Sequence, residues 1–318
     1  MENTKIKKEK PLKRLNYRLR NRLIFYSLGV AIPVIQFCIF YIYVNFNSFM
    51  LAFQKYTANI GSLGYTIEFA GFENFKTAIQ ILKENAFAIK NSLIFFVLST
   101  LVGLSLAMVF SFYLSKKYYA SGFFRVILFL PQIVSHVVFA LLFTYIVSDV
   151  YPYLVELCTG HSTEGLFHNQ TARFPTVLFF NLWMGFGVNV MLFSGAMSNI
   201  NPAIIESAEI DGANLVQEFF HITIPMIFPT FITFMVVGLA GIFTDQMNLY
   251  SLFAGEAGDL STLGYFMYCA TTNADIVVST GFYSYSELSA LGLILTAIVF
   301  PVTWTVRRLL EKYGPNPN

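Results

Sequence analysis

The sequence predicts an all-α polytopic membrane protein of about six spanning helices, with one short helix–turn–helix set between two of them. Three observations carry that prediction. Apolar residues make up 56% of the 318-residue chain and charged residues only 12%, more apolar surface than a soluble fold of this size can bury. Six apolar runs are long enough to cross about 30 Å of hydrocarbon at 1.5 Å per residue. They are continuous rather than alternating at every second position, which favours helices over a barrel. Between the fourth and fifth runs lies a polar island, Glu206 to Pro225, too short for a domain and too charged for a bilayer.

The chain opens with a basic segment, residues 1–22, carrying Lys5, Lys7, Lys8, Lys10, Lys13, Arg14, Arg18, Arg20 and Arg22. This density of cations places the N-terminus in the cytoplasm. Its continuity with a spanning helix points to topology and lipid headgroup contact rather than to nucleic acid. The apolar run that follows is too long for a signal peptide and lacks a small-residue cleavage site, so it reads as an uncleaved first helix. Residues 23–318 read as one transmembrane domain, with spans predicted at Leu23–Val44, Ile89–Ser115, Val126–Val147, Phe174–Met197, Ile227–Leu249 and Leu288–Val306. Six crossings return the C-terminus to the cytoplasm, where Arg307, Arg308 and Lys312 lie. Lys116, Lys117 and Arg125 mark a second cytoplasmic segment.

The polar island falls inside by parity, yet it contains no Lys or Arg and four acids, Glu206, Glu209, Asp211 and Glu218. Topology does not explain that acidity; docking onto a partner protein does. Asn201 can cap a helix that Pro202 opens, and Gly212 stands where that helix should stop. Asn214 followed by Gln217 has the pattern of a second N-terminal cap, with Pro225 near the start of the next helix.

The identities of these residues resemble the cytoplasmic coupling motif of bacterial ABC-importer permeases: E-A-A, three residues, G, nine residues, I-x-L-P. Glu206, Ser207 and Ala208 stand for the triplet, Gly212 for the glycine, and Ile222, Ile224 and Pro225 for the ending; Ser207 and Ile224 depart from the pattern by small changes of volume. I-D-G-A at Ile210 to Ala213, G-F-F-R-V-I-L-F-L-P-Q at Gly122 to Gln132, N-F-K-T-A at Asn74 to Ala78 and A-x-x-N-S-L at Ala88 to Leu93 resemble the carbohydrate-uptake branch. The resemblance implies a type I ABC importer permease fold in a bacterial plasma membrane and a coupling loop at about 198–226. The implied partners are a second homologous permease subunit, two ATPase subunits and an extracytoplasmic solute-binding protein. ATP and magnesium would be used by those ATPases, leaving this chain without a cofactor. Glu206 would offer a charge-assisted bond to the ATPase, Ser207 and Ala208 would permit close approach, and Asp211 and Gly212 would form the turn. Leu215, Phe219 and Ile222 would pin the second short helix to the permease. The outer segment from about Asn45 to Ala88 carries no large insertion, and Gly255 to Asp259 is expected to face the solute-binding protein.

Catalytic patterns are missing. There is no G-x-x-x-x-G-K-[ST] loop, no H-E-x-x-H and no G-x-S-x-G. His161 and His168 share an outer loop without a third ligand, and the adjacent Ser135 and His136 point in different directions on a helix, so neither pair makes a metal or protease site. Of the three cysteines, Cys158 and Cys269 fall in outer loops and are expected to be free thiols.

The cargo path must come from polar groups inside the membrane, which face a cavity or another helix because lipid penalises them. Asn181 and Asn189 in the fourth run and Asp245, Gln246 and Asn248 late in the fifth qualify. Tyr145, Trp183 and Tyr250 are the rings expected to stack on sugar. Two alternatives stay open: a permease for another solute such as glycerol phosphate, and a stand-alone secondary transporter, which typically shows an inverted repeat.

Overall fold

The computed structural model describes residues 12–58, 65–272 and 285–315. Lys5, Lys7, Lys8 and Lys10 of the basic segment lie outside the described residues, and helix is already present from Leu12. Six helices are long and apolar enough to span a membrane: Leu19–Leu51, Ala86–Ser115, His136–Thr159, Arg173–Ser198, Leu215–Gly241 and Tyr285–Tyr313. They match the six expected runs in number and order.

The first span differs most from its neighbours. It runs for 33 residues, and none of its most apolar stretch is buried in the chain. At 1.5 Å per residue it reaches about 50 Å, so both ends project beyond the hydrocarbon. Phe25, Ile32 and Phe40 are 70% exposed or more. Its outer end, Val44–Leu51, rests against the last helix.

The outer segment that follows is not wholly helical. Gln54–Ala58 pairs antiparallel with Tyr65–Phe69, Gln54 opposite Phe69, and an amphipathic helix Glu73–Glu84 comes next. Asn74, from the N-F-K-T-A motif, is buried and donates to the carbonyls of Ala52 and Gln54, both at 2.9 Å. It joins the end of the first span to the hairpin.

The third predicted run proves to be two helices. Ser121–Ile133 ends at Val134, whose ψ of 144° is extended, and the true span starts at His136. Pro131 lies two residues before the end; it withholds an amide from the helical ladder and crowds the preceding turn. The apolar residues on both sides make one continuous run in the hydropathy average, which hid this break.

The fourth span is the axis of the bundle. Its buried residues include Val177, Phe180, Met184, Gly187, Val190, Phe193 and Met197, a seam at three- and four-residue spacing. At Gly187 the helix Ser121–Ile133 crosses so closely that a Cβ would sit 2.0 Å from the Leu128 carbonyl oxygen. Around this axis are two cores. One, at the end of the bundle away from the polar island, joins Phe95, Phe143, Phe180, Leu249 and Tyr265. The other, at the polar-island end, joins Leu114, Phe193, Met197, Phe219 and Ile227.

The fifth span ends at Gly241, not at Leu249 as expected. Residues 242–248 form a turn in which Met247 and Asn248 have φ of +52° and +54°, before a short helix Leu249–Phe253. Asp245, Gln246 and Asn248 therefore sit in irregular backbone rather than on a helix. Such backbone persists at membrane depth only where protein or a cavity satisfies it.

Candidate functional site

Two places bring together the residues singled out from sequence, and they are built differently. The first is the polar elbow. Asn201 is extended and its side-chain oxygen accepts from the Ala203 amide at 3.1 Å, so Pro202–Ile210 starts as a capped helix with proline at its first position. It stops at Gly212, φ +81°, where the Gly212 amide reaches the Glu209 carbonyl at 3.1 Å and the Ala213 amide reaches Ala208 at 2.9 Å. That bond pair is a Schellman closure, and it needs a residue without a Cβ at the left-handed position. A capping box follows: the Asn214 side chain accepts from the Gln217 amide and the Gln217 side chain from the Asn214 amide, each at 2.9 Å. Leu215–Glu218 is the second short helix, running on into the fifth span.

Glu206, Ser207, Asp211 and Gly212 are exposed on this elbow, while Ala208 is 9% exposed against the protein. The Ser207 hydroxyl donates to the Ile204 carbonyl at 2.9 Å. Ile210, at 85% exposure, Val216 and Phe220 add apolar surface beside the acids. Of the three residues expected to pin the second helix, Phe219 is buried and Ile222 half-buried, but Leu215 is half-exposed. The correction follows from register: Phe219 points at Phe112, ring centroids 5.0 Å apart, and Leu215, four residues earlier, lies beyond the end of that core.

The acidity of the elbow also has a partly internal explanation that the sequence did not reveal. Lys116, at the end of the second span, lies 2.7 Å from Glu218 and 3.7 Å from Glu209. Glu206 and Asp211 make no ion pair among the described residues.

The second place is a partly open cavity of about 690 Å³ between the second, fourth and fifth spans. Asn189, Asp245 and Asn248 line it, as expected, together with Asn181. Asn181 is committed to holding the wall. Its amide donates to the carbonyls of Met247, at 2.8 Å, and Val177, at 2.9 Å, and its oxygen accepts from Asn248 at 2.9 Å. Asp245 accepts from the Met247 amide at 2.8 Å. Asn189 has no such bond and presents its amide to the space.

Five further polar residues line the cavity without having been anticipated there: Ser99, Thr100, Gln132, His136 and Thr244. Gln132 donates to the Met184 carbonyl. Ser99 and Thr100 open a π-helical stretch, Ser99–Leu104, a local widening common at functional positions. Gln132 and His136 flank the unrecognised break after Pro131. Their polarity in an apolar run was the available signal.

Tyr145, Trp183, Tyr250 and Gln246 do not line this space. Trp183 packs against Phe139 at 5.0 Å, Tyr145 is 60% exposed on the third span, and Tyr250 stands edge-on to Tyr268 at 4.8 Å. Gln246 Oε1 is buried without a hydrogen-bond partner among the described residues. The aromatic rings at the cavity are Phe96 and Phe234.

The loop after the short helix Leu249–Phe253 is tied to the second and fourth spans. Asn91 and Ser92, from the A-x-x-N-S-L motif, hold it: Asn91 donates to the Asp259 and Ser261 carbonyls at 2.7 and 3.0 Å, and Ser92 accepts from the Leu263 amide at 3.0 Å. Arg173 pairs with Asp259 at 2.9 Å. Tyr265, whose hydroxyl donates to Ala254 at 3.1 Å, is pushed above the usual tyrosine range by burial and so stays a donor. The cysteines Cys38, Cys158 and Cys269 are all free, and no cluster of three metal-binding side chains occurs among the described residues.

The chain is 27% identical over 86% of its length, and 83% of the other's, to an arabinooligosaccharides transport system permease protein, AraP, from Halalkalibacterium halodurans. It is 26% identical over 88% of its length, and 94% of the other's, to an sn-glycerol-3-phosphate transport system permease protein, UgpA, from Salmonella typhi. Its fold matches a chain of a bacterial ABC transporter involved in the import of the acidic polysaccharide alginate, with a TM-score of 0.73 at 21% identity, covering 95% of this chain and 99% of that one. Residues 99–313, which include the elbow and all of the cavity lining except Phe96, match the model of one family, and the chain accordingly belongs to the inner membrane components of binding-protein-dependent transport systems.

Proposed function

We propose that this permease forms half of the membrane path for a neutral carbohydrate, delivered by an extracytoplasmic solute-binding protein and moved at the expense of ATP hydrolysed by two separate subunits. The carrying observation is the cavity at the broken fifth span, whose lining sets polar side chains among apolar ones and contains no Lys or Arg. Asn189, His136, Thr100 and Asp245 offer donors and acceptors suited to hydroxyl groups. A phosphate ester would meet the Asp245 carboxylate and no Lys or Arg, which disfavours the glycerol-phosphate alternative even though one relative carries that name. Membership of a binding-protein-dependent family disfavours a stand-alone secondary transporter.

The exposed elbow supports docking to the ATPases. Glu206 and Asp211 make no ion pair among the described residues, Ile210 is bare, and the short helix Pro202–Ile210 is stiffened at both ends by its own caps. The uncovered first span supports pairing with a second, related permease subunit as well as lipid contact. The basic N-terminus and Arg307, Arg308 and Lys312 support cytoplasmic placement of both ends. ATP and magnesium belong to the partners on this reading, with domains as drawn from sequence: a basic segment 1–22, a transmembrane unit 23–318, and coupling through about 198–226.

The test is uptake by the reconstituted complex, with its second permease, ATPases and binding protein. Neutral oligosaccharide should be accumulated and glycerol phosphate should not. Gly212→Asp should abolish uptake and uncouple ATP hydrolysis while the complex stays assembled. Accumulation of the phosphate ester alone would overturn the cargo; unimpaired Gly212→Asp would overturn the role of the elbow.

A further inference from the structure

We infer that Lys116 is the positioning residue that ties both short helices of the elbow to the end of the second span, so that a push on the elbow reaches the cavity wall. The inference rests on the coupling role proposed for the elbow and identifies where the force enters the bundle.

The geometry is a three-way junction. Lys116 lies in the last turn of the second span, its amide bonded to the Phe112 carbonyl at 3.2 Å. The chain reverses immediately afterwards through Lys117 and Ala120, at φ of +54° and +61°, and the Tyr113 hydroxyl donates to the Tyr119 carbonyl. The base of Lys116 is therefore fixed. Its side chain is only 16% exposed, passes 5.8 Å from the Phe112 ring, and ends 2.7 Å from Glu218 of the second short helix and 3.7 Å from Glu209 of the first. Glu218 is 4% exposed in its side chain, so water does not screen that contact as it would a surface pair.

Other fastenings of the first short helix are slight. Within Pro202–Ile210 only Ala208 is buried, with Ile205 partly covered by the core at the polar-island end. A cavity of about 330 Å³ lies beneath, bounded by Lys116, Ile205, Glu206, Glu209 and Glu218. An ammonium held between two carboxylates is thus the polar strut across an otherwise loosely filled joint. The same second span carries Ser99, Thr100, Gly103 and Leu104 into the substrate cavity. Motion of the elbow has a continuous path from Lys116 along that helix to the cavity wall.

A buried ion pair can be retained for the geometry it specifies while an apolar replacement folds equally well. That distinction gives the test. Lys116→Met alone leaves Glu218 buried and unpaired and can prevent folding, so the decisive variant is Lys116→Met with Glu218→Leu, which removes both charges. In the full reconstituted complex this double variant should assemble at wild-type level and hydrolyse ATP, yet move about threefold to thirtyfold less substrate per ATP. Lys116→Arg should restore the ratio, and exposed Glu209→Gln should lower it mildly. A double variant with the wild-type ratio of substrate to ATP overturns the inference. If Gly212→Asp uncouples transport in the same assay, the coupling role of the elbow survives that result; if Gly212→Asp does not, the elbow itself is the error.

Discussion

The polar elbow and the shorter turn after Gly241 both interrupt long apolar stretches, but the bonds that shape them differ in reach. In the elbow the shaping bonds span two to five residues: Asn201 to Ala203, Asn214 with Gln217, Ala208 to Ala213. In the turn a local bond, from the Met247 amide to Asp245, is joined by long-range ones, from Asn181 to Met247, from Asn248 to Asn181 and from Thr262 to Asp245. A locally held element keeps its shape while it is pushed, which suits a lever. A turn held by a neighbouring helix changes when that helix moves, which suits the wall of a cavity that must open on alternate sides.

The largest expected effect breaks the comparison at its shared support, the fourth span. Gly187→Ala places a methyl 2.0 Å from a backbone oxygen of the crossing helix. Overpacking typically costs about 1–3 kcal/mol, and a backbone collision, unlike one with a rotatable side chain, has no easy relief. The folded permease recovered from membranes should fall sharply, measured by size-exclusion of a fluorescent fusion. Wild-type recovery would mean that the crossing at Gly187 does not set the spacing of the cavity wall.

The contrast in reach also explains what the sequence disclosed. The caps at Asn201 and Asn214, the turn at Gly212 and the six spans were legible because each depends on residues close in the chain or on hydropathy averaged over a helix. The early end of the fifth span was not, since Phe243 and Met247 continue the apolar run while Asn181, more than sixty residues away, fixes the turn. Tyr145, Trp183 and Tyr250 were chosen as sugar-stacking rings on chemistry alone; which side of a helix faces the cavity is decided by tertiary packing, and it favours Phe96 and Phe234. The pairing of Glu218 with Lys116 was hidden for the same reason. Asn91 and Ser92 were recognised as a motif, but only the fold shows them holding the loop after Leu249–Phe253.

A smaller effect sharpens the comparison at the turn. Asn181→Leu removes the donor to Met247 and the acceptor for Asn248 without adding much volume. A buried group left unpaired costs about 1–3 kcal/mol, which a 26-residue helix packed along its length can absorb. The protein should persist in the membrane, but residues 242–248 should become accessible to protease and the substrate concentration for half-maximal uptake should rise. Unchanged protease resistance would show that the turn holds itself, and the distinction from the elbow would disappear.

The smallest effect belongs to the elbow. Asn214→Ala removes one half of the capping box and should cost about 1 kcal/mol, the usual value for a cap. Because the bond is local, the loss should stay local: amide exchange at Leu215 to Glu218 should quicken about fivefold, the factor that 1 kcal/mol allows. Exchange in the cavity wall at 242–248 should not change. Phe219 and the Lys116 pair still hold the second short helix against the bundle, so uptake should fall only slightly. Faster exchange spreading from Asn214 to the mid-membrane turn would show that the elbow's caps and the cavity wall melt as one cooperative unit, and the lever would then be part of the wall it moves.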